Sequence, residues 1–235
     1  MKKTVLLFAS MIAALMPASG LALAATIDCS AGLDSCVGTD GPDSIKGSEE
    51  RDRIFGLGGD DTLLGNGGND RLTGGSADDT IKGNGGEDRL IGGPDNDTMN
   101  GGTGGDILAS SPGNDKLYGS SNPGGTKDYV YDWEGRNVLS GGAGDDHLYG
   151  HNRISGGSGD DVMRGSRPNG AERIRTMSGG PGTDQISSEG FVKDTIYAQD
   201  GEKDFINCGG GIDVVYFDTG IDSASVKTCE NRIGN

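Results

Sequence analysis

The sequence has little of what an ordinary globular core or a catalytic centre is built from. Aromatic residues make up 5% of its 235 positions and apolar residues 32%. A chain of this size with so little apolar surface must repeat a small core or recruit something that is not protein. Histidine occurs twice, in the string His147-Leu148-Tyr149-Gly150-His151. This is not the H-E-x-x-H of a zinc protease, and no G-x-S-x-G nucleophile turn occurs anywhere. Basic residues are outnumbered, with Lys and Arg at 20 against 36 Asp and Glu, for a formal net charge of −16. Such an excess repels nucleic acid and anionic head groups and favours cations. Beyond residue 25 no apolar run approaches the ~20 residues of a membrane span, so neither nucleic-acid binding nor membrane insertion is expected.

The one apolar run lies at the start. MKKTVLLFASMIAALMPASGLALAA carries Lys2 and Lys3, an apolar stretch from Val5 to Met16 and the small-residue pattern Ala22-Leu23-Ala24. It reads as a secretory signal peptide over 1–24, which makes the protein secreted and extracellular. The cysteines, Cys29, Cys36, Cys208 and Cys229, all follow it. An even count in an exported chain points to disulfides, and the absence of C-x-x-C weakens the rival zinc reading. Pairing Cys29 with Cys36 and Cys208 with Cys229 closes a short loop at each end. The other two connectivities tie the ends together.

What the chain has in excess is glycine, 46 residues, and aspartate on a fixed beat. Asp43, Asp52, Asp61, Asp70, Asp79, Asp88, Asp97, Asp106 and Asp115 follow one another at intervals of nine. Two residues after each stands an aliphatic side chain: Ile45, Ile54, Leu63, Leu72, Ile81, Leu90, Met99, Leu108 or Leu117. A strict nine leaves no 3.6-residue period, and glycine at this density is unfavourable in a helix. A fixed period announces a repeat architecture. The aliphatic residue is expected to point inward from a strand of three or four residues, with the glycine-rich hexapeptide turning between strands. A second period lies inside the first. Arg53, Arg71 and Arg89 alternate with Thr62, Thr80 and Thr98, so the structural repeat is 18 residues, two nonapeptides per coil. The predicted fold is an all-β parallel β-roll, a solenoid with two parallel sheets and Ca²⁺ between its turns.

The metal follows from charge. Stacking places Asp61, Asp79 and Asp97 in one column and Asp52, Asp70 and Asp88 in another, with strands ~4.8 Å apart. Two carboxylates at that distance repel by ~3.5 kcal/mol at an effective dielectric of 20. A hard divalent cation relieves this, and Ca²⁺, which takes 6–8 oxygen ligands, suits carboxylates and glycine carbonyls better than Mg²⁺ or a soft metal does.

The motif G-G-x-G-x-D-x-U-x, with U a large apolar residue, also resembles the hemolysin-type calcium-binding (RTX) nonapeptide repeat of secreted bacterial proteins. The match is closest at 101–108, 141–148, 156–163 and 179–186, and GLGGDDTLL, GNGGNDRLT and GNGGEDRLI fit with the second glycine moved. The resemblance implies Ca²⁺ ligation between adjacent coils by the sixth-position aspartates. These are Asp43, Asp52, Asp61, Asp70, Asp79, Asp88, Asp97, Asp106, Asp115, Asp146, Asp161, Asp184 and Asp213. Departures include Ser48-Glu49-Glu50 in place of glycines, Ala77 before Asp78, and Asn137 and Arg175 where aspartate is expected. Asp128 falls near phase.

The expected organisation is an N-terminal disulfide cap over 25–37 and a regular roll over 38–119. An irregular continuation with loop insertions follows over 120–207, then a last repeat with a disulfide-tied cap over 208–235. His147 and His151 are expected on the solvated surface, and Tyr129, Tyr131 and Trp133 in a loop packed against the roll. Acid pairs such as Asp60–Asp61 and Asp145–Asp146 read as repeat structure rather than glycosidase carboxylates, and the short threonine rank is too small for an ice-binding face. The function expected is that of a non-enzymatic, secreted calcium-binding repeat protein, structural, adhesive or interacting with an extracellular partner of unknown identity. The alternative is a secreted hydrolase or enzyme accessory with its site in 120–205.

Overall fold

A computed structural model describes residues 24–29, 35–121, 126–132, 134–166, 175–190, 193–222 and 228–234. Residues 1–23 of the expected signal peptide, Trp133 and residues 167–174 lie outside the described residues. The described residues form strands and turns only, with no helix. Among the described residues twenty-two short strands lie in two parallel sheets, and the chain alternates between the sheets as far as Val214–Phe217, which the last strand joins in the same sheet. One sheet has 12 strands, from Thr26–Asp28 to Asn231–Gly234, and the other has 10, from Cys36–Val37 to Phe205–Asn207. The result is a parallel β-solenoid of about ten coils.

Register follows from the repeat. Leu63 pairs with Ile81, Ile81 with Met99 and Met99 with Leu117 in the first sheet. In the second sheet Ile54, Leu72, Leu90 and Leu108 stack in the same way. Both rows point inward and are fully buried, and the two together are the core. One aliphatic residue per strand is enough because each is covered by its copies above and below as well as by the row opposite.

The strands are longer than the three or four residues expected from the sequence. Arg53–Gly58 and Thr80–Gly85 run six residues and take in the first glycines of the turn. Gly56 keeps the in–out alternation and faces inward, where a Cβ would overlap the Asp61 carboxylate. The next residue then takes a positive φ and bends the chain. Glycine does this in most coils, Asn66 (φ 77°) and Asn84 (φ 73°) in two, and Leu57 (φ 85°) in one.

The solenoid continues through 120–207. Tyr129–Tyr131 is a strand of the second sheet with Val130 inward, not a loop laid on the roll, because Val130 keeps the Asp-x-aliphatic spacing from Asp128. Tyr131 stacks on Tyr149 of the next coil, with ring centroids 5.3 Å apart. Disulfides join Cys29 to Cys36 and Cys208 to Cys229. Both end segments contribute strands: Thr26–Asp28 pairs with Ser44–Lys46, and Asn231–Gly234 with Val214–Phe217.

Candidate metal centres

Each aspartate of the beat sits where a turn enters a strand, one residue before the first outward side chain. The turn folds its carboxylate back into the solenoid, in most repeats against a glycine whose Cβ would overlap it, and at Asp115 against the buried Ser110. All thirteen aspartates expected to be ligands are buried, at 4% exposure or less. They form two columns, one along each edge of the roll. In the first, the backbone N–H of Asp43 donates to Oδ1 of Asp61 (2.8 Å), that of Asp61 to Asp79 (2.9 Å), that of Asp79 to Asp97 (2.9 Å) and that of Asp97 to Asp115 (2.8 Å). The second column runs in the same way through Asp52, Asp70, Asp88 and Asp106. It then continues without a break through Asp128, Asp146, Asp161, Asp184, Asp204 and Asp222.

One oxygen of each carboxylate is thus used to hold the coil before it. The other is left over. Oδ2 of Asp61, Asp70, Asp79, Asp88, Asp97, Asp106, Asp146, Asp161, Asp184 and Asp213 is buried and meets no hydrogen-bond donor among the described residues. A carbonyl oxygen from the following coil closes on the same space: that of Gly74 beside Asp61, Gly83 beside Asp70 and Gly101 beside Asp88. A buried anionic oxygen without a donor is costly. Burial accordingly pushes the carboxyls of Asp70, Asp79 and Asp106 up to about 7 and those of Asp97 and Asp161 up to about 8, and neighbouring aspartates add to the shift. Carboxylate and carbonyl oxygens with no nitrogen or sulfur donor beside them fit a hard cation, and calcium is the one that suits an all-oxygen set.

The donor set is not uniform. At the N-terminal end both carboxylates are engaged by protein: Ser48 gives Asp52 Oδ2 its N–H (2.6 Å) and its hydroxyl (2.9 Å), and Thr39 bonds Asp43. In the first column Asn137 and Arg175 occupy aspartate slots, and Asp194 and Asp213 resume it, the N–H of Asp194 donating to Asp213 Oδ1 (2.9 Å). Glu230 receives the N–H of Asp213 at the end (3.0 Å). Near the C-terminus the carboxylates of Asp184, Asp200 and Asp204 lie within 4.8 Å of one another.

Several column members were not among the expected ligands: Asp128, Asp194, Asp204, Asp222 and Glu230. The first three carry the Asp-x-aliphatic signal, with Val130, Ile196 and Ile206 two residues on. Asp222 and Glu230 carry no such signal.

The two histidines differ. His147 is half-exposed, as expected, with its ring edge-on to Tyr129 (centroids 5.1 Å apart). His151 is buried at 6% exposure, which corrects the surface reading; its Nδ1 lies 3.3 Å from Asp132 Oδ2 and its Nε2 3.1 Å from Ser166 Oγ. Asp, His and Ser in contact suggest a relay, but Ser166 Oγ also lies 3.5 Å from Nδ1. An oxygen nearly equidistant from both ring nitrogens is off the Nε2 lone-pair axis, so it is not set up to lose its proton to the ring. The other Asp132 oxygen accepts from Asn137, and the group fills the turn as a polar plug.

The sequence model described as RTX calcium-binding nonapeptide repeat (4 copies) matches the chain in seven overlapping segments that span 37–122 and 124–167, more than half of its length. A comparison with curated proteins finds no match.

Proposed function

The chain belongs to the RTX calcium-binding nonapeptide-repeat family, and from that premise we propose that its two aspartate columns hold Ca²⁺ between consecutive coils and that the roll 38–119 folds around the metal. The observation that carries this reading is the row of buried Oδ2 atoms without donors, with a glycine carbonyl of the next coil beside those of Asp61, Asp70, Asp88, Asp146 and Asp161. The ligands are the sixth-position aspartates of both columns, from Asp61 to Asp115 and from Asp146 to Asp213. When bound, the ion supplies positive charge at the place where carboxylates stack. The side chains keep their Oδ1 bonds to the preceding coil, and the glycine turns keep their carbonyls inward. The protein acts outside the cell, delivered by the N-terminal signal peptide, as a non-enzymatic structural or interaction module. Millimolar extracellular Ca²⁺ matches the ~10⁻⁴–10⁻³ M affinity of extracellular modules. Circular dichroism and limited proteolysis of the mature chain test this. The β signal and the protease resistance of 38–119 are expected only with millimolar Ca²⁺. A chelated protein that keeps both would overturn the reading.

A further inference from the structure

One slot of the first column does not fit a metal. Arg175 opens the strand Arg175–Ser178 at the level where the pairing register calls for an aspartate, with Thr176 opposite Arg153 and Arg175 opposite Asp194. We propose that Arg175 is a built-in cation that replaces calcium at this level, so that this edge of the roll holds together when calcium is withdrawn.

The side chain occupies the same volume as the carboxylates do elsewhere. A Cβ on Gly156 would overlap Asp161 Oδ2, and a Cβ on Gly165 would overlap Arg175 Nη1. The guanidinium is 2% exposed. Its Nη1 donates to Ser188 Oγ (2.9 Å) and its Nη2 to the carbonyl of Ser166 (2.5 Å). Nη1 lies 3.7 Å from Asp194 Oδ2, and Ser188 Oγ donates to that same oxygen. Asp194 therefore meets a positive group where a regular repeat would bring another carboxylate. A guanidinium keeps its charge at every accessible pH and has no acceptor to offer a metal. A divalent ion placed against it would be repelled.

The residues in the two slots just before it, Asn137 and Asn152, are uncharged. Asn137 gives its amide to Asp132 and to the carbonyl of Glu134 (2.9 Å), and Asn152 gives its own to the carbonyl of Gly135 (2.6 Å). From Asn137 to Asp194 the first column thus carries no stacked like charges. The second column at the same height keeps Asp146, Asp161 and Asp184, so the effect belongs to one edge.

Hydrogen exchange on the full mature chain in chelator tests the proposal directly, without reference to calcium binding. In the native chain, amides of 175–178 and 194–198 are expected to exchange about a hundredfold more slowly than those of 62–67 and 80–85, the scale set by a buried ion pair kept intact. Arg175→Met should abolish the difference. Arg175→Asp should likewise leave 175–178 and 194–198 unprotected in chelator, regain their protection in Ca²⁺, and bind about one more ion in equilibrium dialysis; these last two results rest on the proposed metal binding. Equal exchange of the two stretches in the native chain, or full protection in Arg175→Met, would overturn the proposal even if Arg175→Asp failed to fold. Calcium that slows exchange nowhere would overturn the calcium reading instead, and the chelator comparison would still decide the role of Arg175.

Discussion

Asp79→Asn should act in opposite directions with and without calcium. Asp79 sits in the middle of the first column between Asp61 and Asp97. Its Oδ1 accepts the N–H of Asp61 at 2.9 Å, and its buried Oδ2 meets no donor. Burial is the main cause that pushes its carboxyl up to about 7, with the charges of Asp61, Asp60 and Asp78 adding to it. At pH 8.5 the group is ionised at a cost. Asparagine keeps the Oδ1 acceptor and the shape while removing the charge. The chain already contains this arrangement, since Asn137 accepts the N–H of Asp115 in the same geometry. In chelator the substitution removes repulsion from two neighbours at one coil spacing, each ~1–3.5 kcal/mol between bulk water and an effective dielectric of 20, and a net stabilisation of ~1–3 kcal/mol is expected after relaxation. In calcium it removes a charged ligand shared by the levels above and below, and each tenfold loss of affinity there costs ~1.4 kcal/mol. The assay has two arms. Folding of the chelated chain is driven by trimethylamine oxide, which strengthens burial by exclusion from protein surface, and the midpoint should fall to lower osmolyte. Thermal unfolding in 5–10 mM Ca²⁺ should shift to lower temperature (concentrations of order ten times the expected dissociation constants). A shift of the same sign in both arms would refute the argument that these carboxylates are a liability without metal and a ligand set with it.

Two further outcomes are expected. In chelator, lowering the pH from 8.5 to 5.5 should increase the β signal. Asp97 and Asp161, raised to about 8, and Asp70 and Asp106, raised to about 7, bind protons more tightly folded than unfolded, so their contribution to stability is present at low pH and lost as pH rises through 6–8. A loss of β signal over that window would contradict it. Leu57→Asn should raise the melting temperature of the calcium-loaded protein by the equivalent of ~1 kcal/mol, because Leu57 holds a φ of 85° at 47% exposure and asparagine tolerates that conformation better; an unchanged or lower midpoint would count against strain at this turn.

The regular half of the fold was legible because the sequence period and the coil coincide. Where every coil is 18 residues, counting by nine finds Asp43 to Asp115, their aliphatic partners and the stacking order, and the hydrogen bonds between successive aspartates follow that count. Counting alone could not show that most of these carboxylates give one oxygen to the preceding coil and keep the other buried without a donor. That division depends on the inward first glycine, whose role is visible only when a Cβ is set against the carboxylate. Strand length was misjudged for the same reason. The first glycine looks like the start of a turn by composition, yet it continues the alternation of the strand.

Beyond residue 119 the coil length varies, and phase in the sequence stops measuring position in space. The step from Asp106 to Asp128 is 22 residues, from Asp146 to Asp161 it is 15, and from Asp161 to Asp184 it is 23. Each step still advances the column by one coil. The constraint that survives is local: an aspartate, one outward residue, one inward aliphatic. That triplet marks Asp128, Asp194 and Asp204 whatever the spacing. What it does not mark is a slot whose aspartate has been replaced. Asn137 and Arg175 keep the column in place by different means, one by leaving its slot uncharged and the other by supplying the opposite charge. On the proposed calcium reading, such substitutions are the places where dependence on the ion can be broken, and they are found by asking which buried carboxylates already have a partner.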